Sequence, residues 1–255
     1  MKVPLRWFFL PLLLLPLILI LYLSVVSAWV YPSLWEGGLS VERWKYLFDE
    51  SNHLRKSFGL SLFISIGISL TSTIFGFCFS AYLSLSQSLV SWYRIAFFPY
   101  LIAPVSFAAL LQYYFVRFNL NGSLAGVWLA QLLFILPFSV IIFSSFWSRN
   151  TIDLYRQGLI LGADPRVAFI RIVWPLAKPW FVFSLILCFL ASWFEYGITG
   201  LIGVGKVRTL TIDTMLYVNE SNLFQAALAS CLLVLPVLLI LLTGYFASRK
   251  ISLRQ

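Results

Sequence analysis

Charge is scarce in this sequence. Only 11% of its 255 residues are Asp, Glu, Lys or Arg, while 61% are hydrophobic. Soluble domains carry about 25% charged and about 45–50% apolar residues, so a water-facing surface cannot be assembled from this composition. Histidine occurs once, at His53, and cysteine three times, at Cys78, Cys188 and Cys231 in separate apolar runs. That leaves no spacing for a metal site and no disulfide framework. The cysteines read as small buried hydrophobes, and His53 as a solvent-exposed residue. H-E-x-x-H and G-x-S-x-G are both missing, and no acids or histidines cluster, so nothing points to an integral-membrane enzyme.

Long uncharged runs are what the chain does have. A membrane helix needs about 20 apolar residues, and an ionised side chain at mid-bilayer is costly. On that basis six spans are expected near 7–30, 57–83, 95–117, 124–148, 179–203 and 223–247. Runs such as LPLLLLPLILILYL and CLLVLPVLLILL are continuously apolar, without the alternation of barrel strands. The expected fold is therefore all-α: a polytopic bundle of six transmembrane helices forming one domain over residues 1–255. The basic start at Lys2 and Arg6 with Val26-Ser27-Ala28 has the outline of a signal peptide, but the apolar run is too long for a signal core. It is read as the first span.

The net charge of +9 would suggest nucleic acid in a soluble protein. Here the basic residues lie in short loops, where they report topology instead. With both termini inside, eleven Lys and Arg are cytoplasmic and seven outside, which the positive-inside rule favours. Trp7, Trp29, Trp35, Trp44, Trp92, Trp147, Trp174 and Trp180 fall near the expected interfaces, as an aromatic belt would.

One inner segment, residues 149–178, has a distinct local grammar: RNTIDLYRQGLILGADPRVAFIRIVWPLAK. Leu154, Gly158 and Leu161 recur at helical spacing. Gly162 stands where a helix ends with positive φ. Asp164 followed by Pro165 is an N-cap with proline at the first helical position. A second short helix should run from Pro165 until Pro175 breaks it.

This segment resembles the EAA loop of binding-protein-dependent ABC permeases, the MetI-like family. Gly162-Ala163 takes the Gly-Ala position of that motif, and Phe169, Ile172 and Pro175 fall on its tail. Arg156, Gln157 and Gly158 occupy the Glu-Ala-Ala positions, so the name-giving acid is absent. GGLSVERWKYLF and WFEYGITGLIGVGKVRTLTID are similar to the family's outer lead-in and to its fifth span and outer loop. The latter looks like the branch that imports iron, thiamine, polyamines or related solutes. The resemblance implies a cytoplasmic coupling helix between spans four and five, docking on a separate ATPase. Leu154, Arg156, Gln157, Gly158, Leu161, Gly162, Ala163, Asp164 and Pro165 would form that contact. It also implies two ATP-binding subunits, a second permease, a periplasmic solute-binding protein and a bacterial inner-membrane location. ATP and Mg would belong to the partner ATPase, with no cofactor on this chain.

Glu195 is the one acid inside an expected span, a default candidate for a pathway or a proton relay. A structural hydrogen bond explains it equally well. An ion-gradient transporter or channel is the alternative class, and Glu195 alone supports it. Gly200–Lys206 matches G-x-x-x-x-G-K, but Val207 replaces the magnesium-binding hydroxyl and no strand precedes it, so it is not a nucleotide loop. Gly203 and Gly205 are expected to bend an outer gate instead.

Overall fold

The apolar runs fold as helices, as their lack of alternation requires. The computed structural model describes residues 6–27, 38–47, 53–85 and 98–252. Its helices are α1 (Arg6–Val25), α2 (Glu42–Tyr46), α3 (His53–Leu85), α4 (Pro104–Arg117), α5 (Leu124–Phe146), α6 (Arg149–Ile160), α7 (Pro165–Ala168), α8 (Trp174–Trp193), α9 (Gly197–Gly203), α10 (Leu210–Asn219) and α11 (Leu223–Ser252). A 3-10 turn, Phe98–Leu101, precedes α4, and a π-helical turn, Phe169–Val173, joins α7 to α8. The only β pairing among the described residues is the isolated bridge Val26–Leu39.

Among the described residues, four segments are long and apolar enough to cross a membrane: His53–Ser84, Leu124–Phe146, Pro165–Trp193 and Leu223–Phe246. The chain is thus a multi-pass membrane protein. Three expected spans come out differently. The first ends at Val25, where the Val26–Leu39 bridge takes over. The third begins only at Pro104, leaving a helix of 14 residues, about 21 Å long. A proline is well placed to start a helix and poorly placed inside one. The fifth is not one helix over 179–203: it stops at Trp193 and resumes at Gly197. Trp29, Trp35 and Trp92 lie outside the described residues.

The chain divides into two compact units, residues 1–61 with 208–255, and residues 62–207, with the division inside α3. In the first unit α11 packs on both α1 and α10. Ser61 Oγ accepts from Leu210 N at 2.7 Å. His53 is bonded as well as exposed: its Nδ1 lies 3.1 Å from the buried Asp213 carboxylate. In the second unit α5 packs against α8 and α9, and α9 against α4. Small hydroxyls let these helices approach closely. Thr73, Ser139 and Ser184 meet in a buried cluster, with Thr73–Ser184 at 3.2 Å and Ser139–Ser184 at 3.0 Å. Cys188 and Cys231 are buried as expected, but Cys78 is exposed on α3, because it points away from that serine-rich face.

Candidate functional site

The segment singled out by its turn grammar is a helical hairpin in the second unit. α6 ends at Ile160, and Gly162 adopts φ +88, a conformation that suits glycine. Ala163 N–H donates to Gly158 O at 3.1 Å and Gly162 N–H to Leu159 O at 3.0 Å, which closes the helix end. Asp164 caps α7 as its position predicts, accepting from Arg166 N at 2.8 Å.

Gly158 is buried at the hairpin's inner face. A Cβ there would stand 2.7 Å from Ile172 Cδ1, the tip of a side chain that can turn aside, and 3.7 Å from Ala168 Cβ, so glycine gives Ile172 its place against α6. Gly158 is therefore a packing residue rather than part of the outward surface. Leu154, Arg156, Gln157, Leu161, Gly162, Asp164 and Pro165 are exposed, and Ala163 is half-buried. Ile160 and Leu161 project furthest, at 83% and 87% exposure, with Val167 and Ile170 also exposed. Sequence reading overlooked Ile160, Val167 and Ile170, although apolar residues clustered around a polar turn were the available signal.

The hairpin stands on an aromatic base. Phe77 from α3 lies 5.1 Å from Phe143, 4.8 Å from Phe181 and 6.2 Å from Phe169, centroid to centroid. Phe146, Trp147, Val173 and Ala177 complete the buried cluster. Edge-on and tilted ring pairs of this kind add to simple area burial. Pro175 does not end the second helix, contrary to expectation. Trp174 N–H reaches back to Phe169 O, and the widened π turn removes the usual clash of a proline ring with the preceding turn. Helix therefore runs from Pro165 to Trp193.

Glu195 lies where that helix stops. Its carboxylate accepts from Ile198 N at 2.5 Å, Thr199 N at 2.9 Å and Thr199 Oγ1 at 2.7 Å, so it caps α9. Gln131 Nε2 on α5 donates to Glu195 Oε2 at 3.3 Å and to Thr199 Oγ1 at 2.7 Å. Ser192 Oγ donates to Gln131 Oε1 at 2.7 Å. Glu195 is buried at 8% exposure, Gln131 at 1% and Thr199 at 0%. A carboxylate at a helix N-terminus satisfies orphan N–H groups and complements the dipole. The carboxylate thus makes the kind of hydrogen bond to a neighbouring helix that a structural role requires.

Beyond α9, Val204 and Gly205 take φ +47 and +68. Gly122 N–H anchors the end of α9 through Ile202 O at 2.7 Å. Gly203 is buried against Val207 and Val127. The glycine-lysine run is therefore the end of a helix followed by a left-handed turn, not a strand-to-helix phosphate loop.

Residues 72–252 match the model of the binding-protein-dependent transport system inner membrane component, well over half of the chain. The protein belongs to that family. It is also 30% identical over 94 residues to the probable transport system permease protein NifC of Clostridium pasteurianum, covering 36% of this chain and 33% of that protein. The aligned region thus spans about a third of the relative's length. For this binding-protein-dependent permease, both the hairpin and the Glu195 cap fall inside the family-matched region.

Proposed function

We propose that this permease is the membrane-spanning subunit of an ATP-driven importer, and that the α6–α7 hairpin is its docking surface for a cytoplasmic ATPase. The supporting observation is the hairpin tip: Ile160 and Leu161, the most exposed large apolar side chains of the segment, sit on a turn fixed by Gly162. Apolar residues held out this far on a rigid support suit insertion into a protein groove. Arg156, in the position of the family's acid, is exposed beside them and offers the ATPase a cation.

In this reading two ATP-binding subunits, a second permease and a periplasmic solute-binding protein complete the assembly. It sits in the bacterial plasma membrane with both termini cytoplasmic. Hydrolysis of ATP takes place in the partner ATPase with its Mg, and this subunit makes no chemical bonds. The solute is small, of the iron, thiamine or polyamine kind. The turn at Gly203 and Gly205 serves the outer gate. Glu195 supports this class over an ion-gradient transporter or channel, because its oxygens are engaged in capping α9 instead of standing ready to carry a proton.

Cysteine cross-linking tests the docking. Leu161→Cys, in a chain whose Cys78, Cys188 and Cys231 are replaced by alanine, carrying a thiol-linked photoreactive group and irradiated in inside-out vesicles with a co-expressed ATP-binding subunit, is expected to join the two subunits, whereas Leu110→Cys on the exposed face of α4 is not. Cross-linking of Leu161→Cys only to reagents added from the periplasmic side would overturn the proposal.

A further inference from the structure

The exposed faces of the second unit differ in chemistry. From Phe63 to Phe79 the exposed large side chains of α3 are all apolar, as a lipid-covered surface requires. α4 breaks that pattern. Ser106, Ala109, Tyr113, Val116 and Arg117 are exposed along one face, and Gln112 is half-buried at its edge. Ser106, Gln112, Tyr113 and Arg117 find no hydrogen-bond partner or counter-ion among the described residues. Ala109, Gln112, Tyr113, Val116 and Arg117 line a shallow hollow of about 520 Å³.

Arg117 closes α4 and Ser123 caps α5 shortly after, so this end of the unit is opposite to the hairpin. From Arg117, Gln112 lies about 7.5 Å back along the axis and Ser106 about 16 Å. The latter is about half of the 30 Å hydrocarbon core. Tyrosine and arginine at a helix end suit the membrane interface. An amide and a hydroxyl below them do not suit lipid, which offers them no partner, and polar groups in a span face a water-filled cavity or another polar surface.

Charge says what passes over this face. The described acids of the second unit are Asp153 and Asp164 on the hairpin and Glu195, whose carboxylate caps α9. At the Arg117 end the exposed charges are Arg117 and Lys206. Lys206 lies over the link that follows α4, since a Cβ on Gly122 would stand 3.1 Å from its Cδ. Neither cation pairs with a described acid.

We propose that this face of α4 lines the outer half of the solute's route, and that the solute is a small anion. The proposal rests on the importer reading above and adds the charge of the cargo. Gln112 and Tyr113 donate to the anion's oxygens in place of water, and Arg117 and Lys206 concentrate it at the mouth. Of the solutes named above, iron in an anionic complex fits this lining. Thiamine and polyamines are cations and would meet like charge.

Thiol accessibility tests this, in a chain whose Cys78, Cys188 and Cys231 are replaced by alanine. The permease with a co-expressed ATP-binding subunit, in lipid nanodiscs open to solution on both sides, is treated with two lipid-insoluble reagents. One is the anionic sulfonatoethyl methanethiosulfonate, the other the cationic trimethylammonioethyl compound. Gln112→Cys and Tyr113→Cys should react, whereas Leu70→Cys, on the apolar face of α3, should not. Relative to a free thiol, the anionic reagent should react with Gln112→Cys roughly fivefold faster than the cationic one, the effect of one charge about 7.5 Å away in water. Adding Arg117→Gln should remove most of that preference and leave the site accessible. Silence of Gln112→Cys and Tyr113→Cys would overturn the route, as would a disulfide joining two permeases through either position, which would give the face to a second chain. Equal rates, or a faster cationic reagent, would overturn the anionic cargo. The Leu161→Cys cross-link does not depend on what lines α4, so the importer reading stands or falls separately.

Discussion

Replacing Glu195 by alanine separates a cap from a solute-binding group. The carboxylate takes two backbone donors, Ile198 N and Thr199 N, besides Thr199 Oγ1 and Gln131 Nε2. Alanine leaves both backbone N–H groups buried without this acceptor. Each unsatisfied buried donor costs about 1–3 kcal/mol, and loss of a cap alone costs about 0.5–2 kcal/mol. The contributions overlap, so the expected loss is about 2–4 kcal/mol. In a chain of this size 1 kcal/mol shifts Tm by about 2–4 °C, which gives a fall of roughly 5–15 °C. Glu195→Gln keeps one acceptor oxygen and should lose about half as much. The assay is thermal unfolding in detergent followed by tryptophan fluorescence. Trp193, fully buried and stacked on Phe189 beside the cap, serves as a local reporter. An alanine variant that melts at the wild-type temperature yet imports poorly would refute the capping argument and return Glu195 to the solute path.

Two further substitutions address the hairpin. Gly158→Val places a side chain against Ile172 Cδ1 and should pry α6 from the π turn, at a cost of about 1–3 kcal/mol. Import should fall with membrane insertion intact, and Ile172→Ala should restore it in the double variant; absence of rescue would argue against the packing account. At Gly162 no heavy atom lies within 4 Å of an added Cβ, so the penalty there is conformational. Asparagine, which tolerates a left-handed backbone, should retain most uptake, whereas valine should lose it at equal expression. Equal uptake by the valine and asparagine variants would show that the turn geometry is not what matters.

Local chemistry made the hairpin legible. Asp164-Pro165 and Gly162 act through their own backbone, and a single chain suffices to read them. Gly158 was not readable as a packing residue, because its role depends on Ile172 fourteen positions away folding back onto it. The same holds for Glu195. Its hydrogen bonds to Ile198 and Thr199 are local, but the break that they cap interrupts an otherwise apolar run, and hydropathy does not register a helix end inside lipid. The first and third spans show the complementary failure. Apolarity marks a segment as membrane-facing and leaves undecided where helix starts, which Pro104 settled for α4.

The two parts of the site are opposite ends of one element. From Pro165 to Trp193 the helix has 29 residues, about 43 Å at 1.5 Å per residue. The hydrocarbon core is about 30 Å thick, so an upright helix extends roughly 13 Å, more than two turns, beyond it, and a tilted one less. The aromatic base around Phe77 grips the hairpin end of this helix at Phe169 and Phe181. A proline hinge at Pro175 would have let the hairpin swing without moving the span; the continuous helix removes that freedom. Under the proposed function, a displacement at Gly162 therefore travels as far as Trp193 before it meets an interruption in the helix. There Glu195 and Gln131 tie the break to α9 and α5, so the motion reaches the turn at Gly203–Gly205 through hydrogen bonds rather than through slack chain.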